Sequence, residues 1–123
     1  MSDEITLTFP RGAEFHPVPH LVLSGLAVRL DLTVENIEDL QLALDALLGR
    51  TDPNANLGDL TVRMSVHDHE LSTVVGPLAH GVLDELERDP GDGLDLRRVL
   101  ASTVDDVQVD GDSVRLTKRV AVG

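Results

Sequence analysis

Between Val34 and Leu48 the chain reads VENIEDLQLALDALL, and no other stretch restricts its possible folds as much. Ile37, Leu40, Leu44, Leu47 and Leu48 recur at helical spacing on one face, with Gln41 and Asp45 at its edge. Thr33 stands at the N-cap position, Glu35 suits the positive end of the first turn, and Gly49 follows the last apolar residue. A helix with a stripe this wide is stable only against another apolar surface.

The rest of the chain supplies that surface as strands. Residues 5–9 (ITLTF) alternate up to Pro10-Arg11-Gly12. Leu60 to Val66 alternates in the same way, His67-Asp68-His69-Glu70 reads as a polar turn, and Leu71 to Val75 returns as the partner strand. The end of the chain, DDVQV-DGD-SVRLTKRVAV, carries a second hairpin signal at Asp110-Gly111. Three further helices are expected. One begins near Pro19 and places Leu23, Leu26, Ala27 and Leu30 on one face. A second has Pro77 at its first position and Leu78, Val82, Leu83 and Leu86 at helical intervals. A third is marked by Leu94, Leu96, Val99 and Leu100. The order β-α-α-ββ-α-α-ββ predicts an α+β fold: a two-layer sandwich in which a mostly antiparallel mixed sheet has its helices on one face. The 123 residues fit a single domain spanning 1–123.

Composition narrows the function. A net charge of −12 opposes nucleic acid and anionic membrane, and two aromatics, Phe9 and Phe15, provide no stacking platform for single strands. Lys118 is the only lysine. The absence of cysteine removes disulfides, thiolate metal sites and cysteine nucleophiles. No apolar run is long enough for a membrane span, and MSDEITLTF has no signal-peptide pattern, so a cytoplasmic location is expected. His67 and His69 on alternate strand positions, with Asp68 and Glu70, suggest a metal pair but lack a third ligand; His16 and His20 are separated by two prolines; His80 is alone. No metal site is assigned.

The stretch PHLVLSGLAVRLDLTVENIEDLQLALDALLG resembles the N-terminal part of the anti-sigma factor serine kinases, within the histidine-kinase-like (GHKL) ATPase superfamily. Ile37 to Ala46 follows that family's second-helix pattern, and GDGLDLRRVLASTVDDVQVDGDSVRLTKRV resembles its glycine motif and final hairpin. The resemblance spans almost the whole chain in order. It implies ATP and Mg²⁺ as cofactors, a protein partner such as a sigma factor, an anti-sigma antagonist or a homologous kinase, and possible homodimers.

On that resemblance Asp45 stands at the acidic, general-base position, and Gly91, Gly93 and Leu94 at the phosphate motif. Gly49 stands where the family has a magnesium-binding Asn and has no side chain to supply an oxygen ligand. The adenine-binding Asp of the family would fall near Pro77, and from there no Asp occurs until Asp84. Asp92 and Asp95 would repel a polyphosphate, and the lid region reads as an amphipathic helix. The expectation is therefore a non-catalytic regulatory module with a degenerate nucleotide site and no cofactor. The alternative is an unconventional ATP-dependent serine kinase using Asp45 and the Gly91–Gly93 turn.

Overall fold

The computed structural model describes residues 3–51, 56–87 and 96–120. Its elements run β1 (Asp3–Phe9), a short 3₁₀ turn (Ala13–Phe15), α1 (Pro17–Leu30), α2 (Val34–Leu48), β2 (Leu60–His67), β3 (Glu70–Gly76), α3 (His80–Glu87), α4 (Leu96–Thr103), β4 (Asp106–Asp110) and β5 (Ser113–Arg119). The five strands form one sheet in the order β1-β2-β3-β5-β4. Every pairing is antiparallel, and the parallel pair that a mixed sheet would contain does not occur among the described residues.

Alternation sorts the sheet into two faces. The crosswise row Ile5, Met64, Thr73, Leu116 and Val107 lies on the helix side, and so does the next row: Leu7, Val62, Val75, Val114 and Val109. Between them, Thr6, Arg63, Val74, Arg115 and Gln108 lie on the opposite face, where Thr8 and Thr61 hydroxyls meet at 3.1 Å. The helices cover the apolar side with Leu23 and Leu26 from α1, Leu40, Leu44, Leu47 and Leu48 from α2, Leu83 and Leu86 from α3, and Leu96 and Leu100 from α4, all buried. Each fully buried leucine contributes about 1.5–3 kcal/mol relative to exposure. That burial matters most for α3 and α4, eight residues each and too short to persist alone. Lys118 on β5 crosses to α2, its Nζ lying 3.0 Å from Asp39 Oδ2.

The helix ends follow their local chemistry. α1 begins at Pro17, two residues before the expected start, with both prolines in its first turn. It stops at Asp31, whose left-handed backbone (φ 54°) turns the chain so that Leu32 N–H donates to Ala27 O. Thr33 Oγ1 then accepts from Asn36 N–H at 3.2 Å and starts α2 as the cap pattern indicates.

One boundary differs from expectation. Pro77 is not the first residue of a helix; α3 begins only at His80. Leu78 N–H donates to Asp112 O at 2.7 Å, and the Pro77 carbonyl accepts from Arg11 Nη2 at 2.6 Å. These partners lie on β5's turn and on the loop after β1, so long-range bonds hold residues 77–79 outside the helix.

Candidate functional site

The C-terminal end of α2 carries two of the positions singled out in the sequence. Asp45 is exposed on the last turns of the helix, its side chain 64% accessible. His20 Nε2, from α1, lies 2.7 Å from its Oδ1 and donates to it, so the carboxylate is already engaged. Gly49 caps the helix with φ −65°, an ordinary right-handed value that does not require glycine. A Cβ built there would approach Asp45 O at 3.2 Å, tight but not prohibitive. The last carbonyls of α2 are satisfied locally: Gly49 N–H donates to Asp45 O, Arg50 N–H to Leu47 O and Thr51 Oγ1 to Leu48 O.

A second carboxylate lies close to this helix end. Glu85, on α3, is largely covered, with its side chain 19% accessible. Its Oε1 accepts from Arg50 Nη2 at 3.0 Å and from the backbone N–H of Leu96, the first residue of α4, also at 3.0 Å. The free amides at a helix start carry partial positive charge, and a carboxylate there is favoured. In return Arg97 Nη1, on α4, donates to Leu86 O near the end of α3. Helices α3 and α4 are thus tied twice, each tie matching an unsatisfied helix terminus.

A third cluster surrounds Arg11. This side chain follows β1 and is 6% exposed. Its Nε donates to Gly58 O at 2.7 Å and its Nη2 to Pro77 O at 2.6 Å, joining the loop before β2 to the segment after β3. Burial lowers its pKa from the ordinary arginine value, while the negative charge of Asp59 acts in the opposite direction. Pro77 therefore sits in a structural tie rather than at the start of a helix.

The other singled-out residues separate. Gly91, Gly93 and Leu94, with Asp92 and Asp95, lie outside the described residues. His69 adopts φ 64° in the turn, so the strand alternation that would set it beside His67 does not apply. His67 Nε2 instead lies 3.1 Å from Asp68 Oδ2. His16 precedes α1, whereas His20 is taken by Asp45. Among the described residues no group of three or more histidine or acidic side chains is arranged to hold a metal. None of their helices is long and apolar enough to cross a membrane. An apolar groove of about 460 Å³ lies between α1 and α2, lined by residues such as Ala27, Val28, Leu32 and Ile37. Ile37 stands twelve residues before Gly49, roughly 18 Å away along the helix axis, so this groove is remote from Asp45 and Gly49.

Sequence reasoning missed Glu85, Arg50 and Arg11. Glu85 lies in an acidic run (DELERD) with no capping spacing, and its partners are 35 residues before it and 11 after it. Only the apolar positions Leu78, Val82, Leu83 and Leu86 indicated that this segment packs at all.

Among the described residues an open antiparallel sheet with four helices makes an α+β two-layer sandwich, consistent with the histidine-kinase-like ATPase fold. No family model matches the chain. Individual curated proteins do. The serine-protein kinase RsbW of Listeria monocytogenes serotype 4a is 29% identical over 140 residues, covering 98% of this chain and 89% of that protein. RsbW of Listeria innocua matches to the same extent, and RsbW of Bacillus velezensis is 29% identical over 94 residues, covering 72% of this chain and 59% of its own. The chain is a homologue of the RsbW serine-protein kinases, in agreement with the resemblance carried by its second helix and final hairpin. The Listeria alignment runs over 140 positions against 98% of 123 residues, so roughly 20 positions of those kinases have no counterpart here.

Proposed function

We propose that this chain is a single-domain, non-catalytic regulatory protein of the anti-sigma kinase type that binds a protein partner and does not bind Mg-ATP in the family's manner. The observation that carries the reading is the end of α2. Gly49 presents no side-chain oxygen to a magnesium ion, although its backbone (φ −65°) would accept a side chain. Asp45, four residues earlier, has its carboxylate bonded to His20. Two further features support it. The Pro77 carbonyl and the Leu78 amide are committed to Arg11 and Asp112, and neither Pro77 nor Leu78 carries a carboxylate to accept from an adenine amino group. Glu85 places a negative charge at the start of α4.

The homology supports a protein partner. A sigma factor, an anti-sigma antagonist or a homologous kinase is the class of protein to which such a scaffold would bind, and homodimers belong to the same proposal. An acidic surface with net charge −12 favours a partner with a basic face through steering.

Homology to serine-protein kinases over nearly the full chain favours one competing reading, an active kinase with Asp45 as base. Thermal denaturation with Mg-ATP and Mg-ADP separates the two. An active site would raise stability by about 2.7 kcal/mol at a hundredfold excess of ligand over its dissociation constant. No shift is expected here; a saturable shift that Asp45→Ala weakens would establish the kinase reading instead.

A further inference from the structure

We infer that the groove between α1 and α2 docks a basic amphipathic helix of another protein, with apolar anchors one and two turns apart and Lys or Arg along its edges. The inference rests on the regulatory reading above and names the surface and the partner chemistry that reading needs. Exposed apolar side chains are concentrated here. Of the five large hydrophobics exposed among the described residues, Leu21 and Val28 lie on α1 and Val34 and Leu42 on α2; only Leu57 lies elsewhere. Val28 is 84% exposed and borders the groove, whose lining also includes Ala27, Leu32 and Ile37. Leu21 and Val28 are two helical turns apart, so they form one stripe about 10 Å long. Gly25 stands between them, and a Cβ added there would meet nothing within 4 Å. Glycine inside an exposed helix weakens it relative to alanine, and no neighbour within the chain requires it here. A notch between two apolar knobs suits an incoming helix that anchors at i, i+4 and i+7.

Charge selects the occupant. Residues 17–48 hold five acids, Asp31, Glu35, Glu38, Asp39 and Asp45, against one arginine, Arg29. Asp39 is paired with Lys118 and Asp45 with His20. Asp31 lines the groove itself, and Glu35 and Glu38 are exposed on α2 beside Val34. A second copy of the chain would bring these same acids together across a two-fold axis, where like charges oppose docking. A helix edged with Lys and Arg meets opposite charge instead and is steered toward the groove.

The test titrates the full chain with a labelled amphipathic peptide of about 18 residues, long enough to hold a helix on binding. Its leucines stand at i, i+4 and i+7 between Lys and Arg; a control peptide has Glu at every flanking position. Fluorescence anisotropy should saturate with the basic peptide alone and weaken as salt is raised. The methyl resonances of Leu21, Val28 and Ile37 should move with it. Val28→Asp alters an exposed side chain, so it should leave Tm unchanged and weaken binding by about tenfold or more. Gly25→Gln should melt higher than wild type and still bind more weakly, a split that loss of folding cannot produce. Equal binding of the acidic peptide, binding of neither, or shifts confined to another surface overturns the inference. So does a sedimenting dimer that Val28→Asp dissociates, because the groove then belongs to a second copy. Calorimetry with Mg-ATP separates the two levels. Saturable nucleotide heat beside intact peptide binding overturns the non-catalytic reading and leaves the groove standing, whereas absence of both overturns the groove alone.

Discussion

Asp45 and Glu85 are both helix carboxylates near the end of α2, and they are held in opposite ways. Asp45 sits at the position that the kinase resemblance marks for chemistry, yet it is 64% accessible and, among the described residues, is bonded to the His20 side chain. Glu85 sits at a position no motif marks, is 19% accessible, and binds both an arginine and a helix-start amide. An exposed pair contributes little because water competes and both side chains lose freedom. A covered carboxylate with two donors contributes more, because its removal leaves a helix amide without a partner. The motif-bearing acid is therefore the dispensable one for this fold, and the unmarked acid holds two helices together.

Substitutions order themselves along that contrast. The largest loss is expected for Leu86→Ala, which empties a fully buried position on α3 and should cost about 2–5 kcal/mol in chemical denaturation. Glu85→Ala should cost about 2 kcal/mol, through the lost charged hydrogen bonds to Leu96 and Arg50. Hydrogen exchange should then show the loss concentrated in α3 and α4, and a uniform increase across the sheet would contradict the contrast. Asp45→Ala should cost less than about 1 kcal/mol, and a loss equal to that of Glu85→Ala would erase the distinction between the two acids. Gly49→Asn should change stability least, since the φ of −65° suits asparagine. It should also leave Mg-ADP binding absent in calorimetry, because the oxygen it adds does not release Pro77 from Arg11 or Glu85 from Leu96.

The same contrast shows what was legible in the sequence. The α2 stripe and its Thr33 cap, the alternation of β2 and β3, and the Asp110-Gly111 hairpin are local signals, and the structure contains all of them. The fold class followed, because a one-faced helix and one-faced strands leave few ways to pair. Pro77 was misplaced as a helix start because its competitors, Arg11 and Asp112, lie 66 residues before it and 35 after it in the chain. A proline's suitability for a first helical turn carries no information about such partners. Gly91, Gly93 and Leu94 lie outside the described residues, so the contrast rests on Asp45, Gly49 and Glu85 alone. Glu85 was illegible for a related reason. One of its two donors is a backbone amide, which any residue but proline at position 96 would present.

Isothermal calorimetry of the wild-type chain with ATP in excess magnesium tests the central claim most directly. A degenerate site predicts no saturable heat up to millimolar-scale nucleotide, where typical nucleotide-using enzymes are already occupied. A saturable isotherm near one nucleotide per chain, weakened by Asp45→Ala, would contradict it.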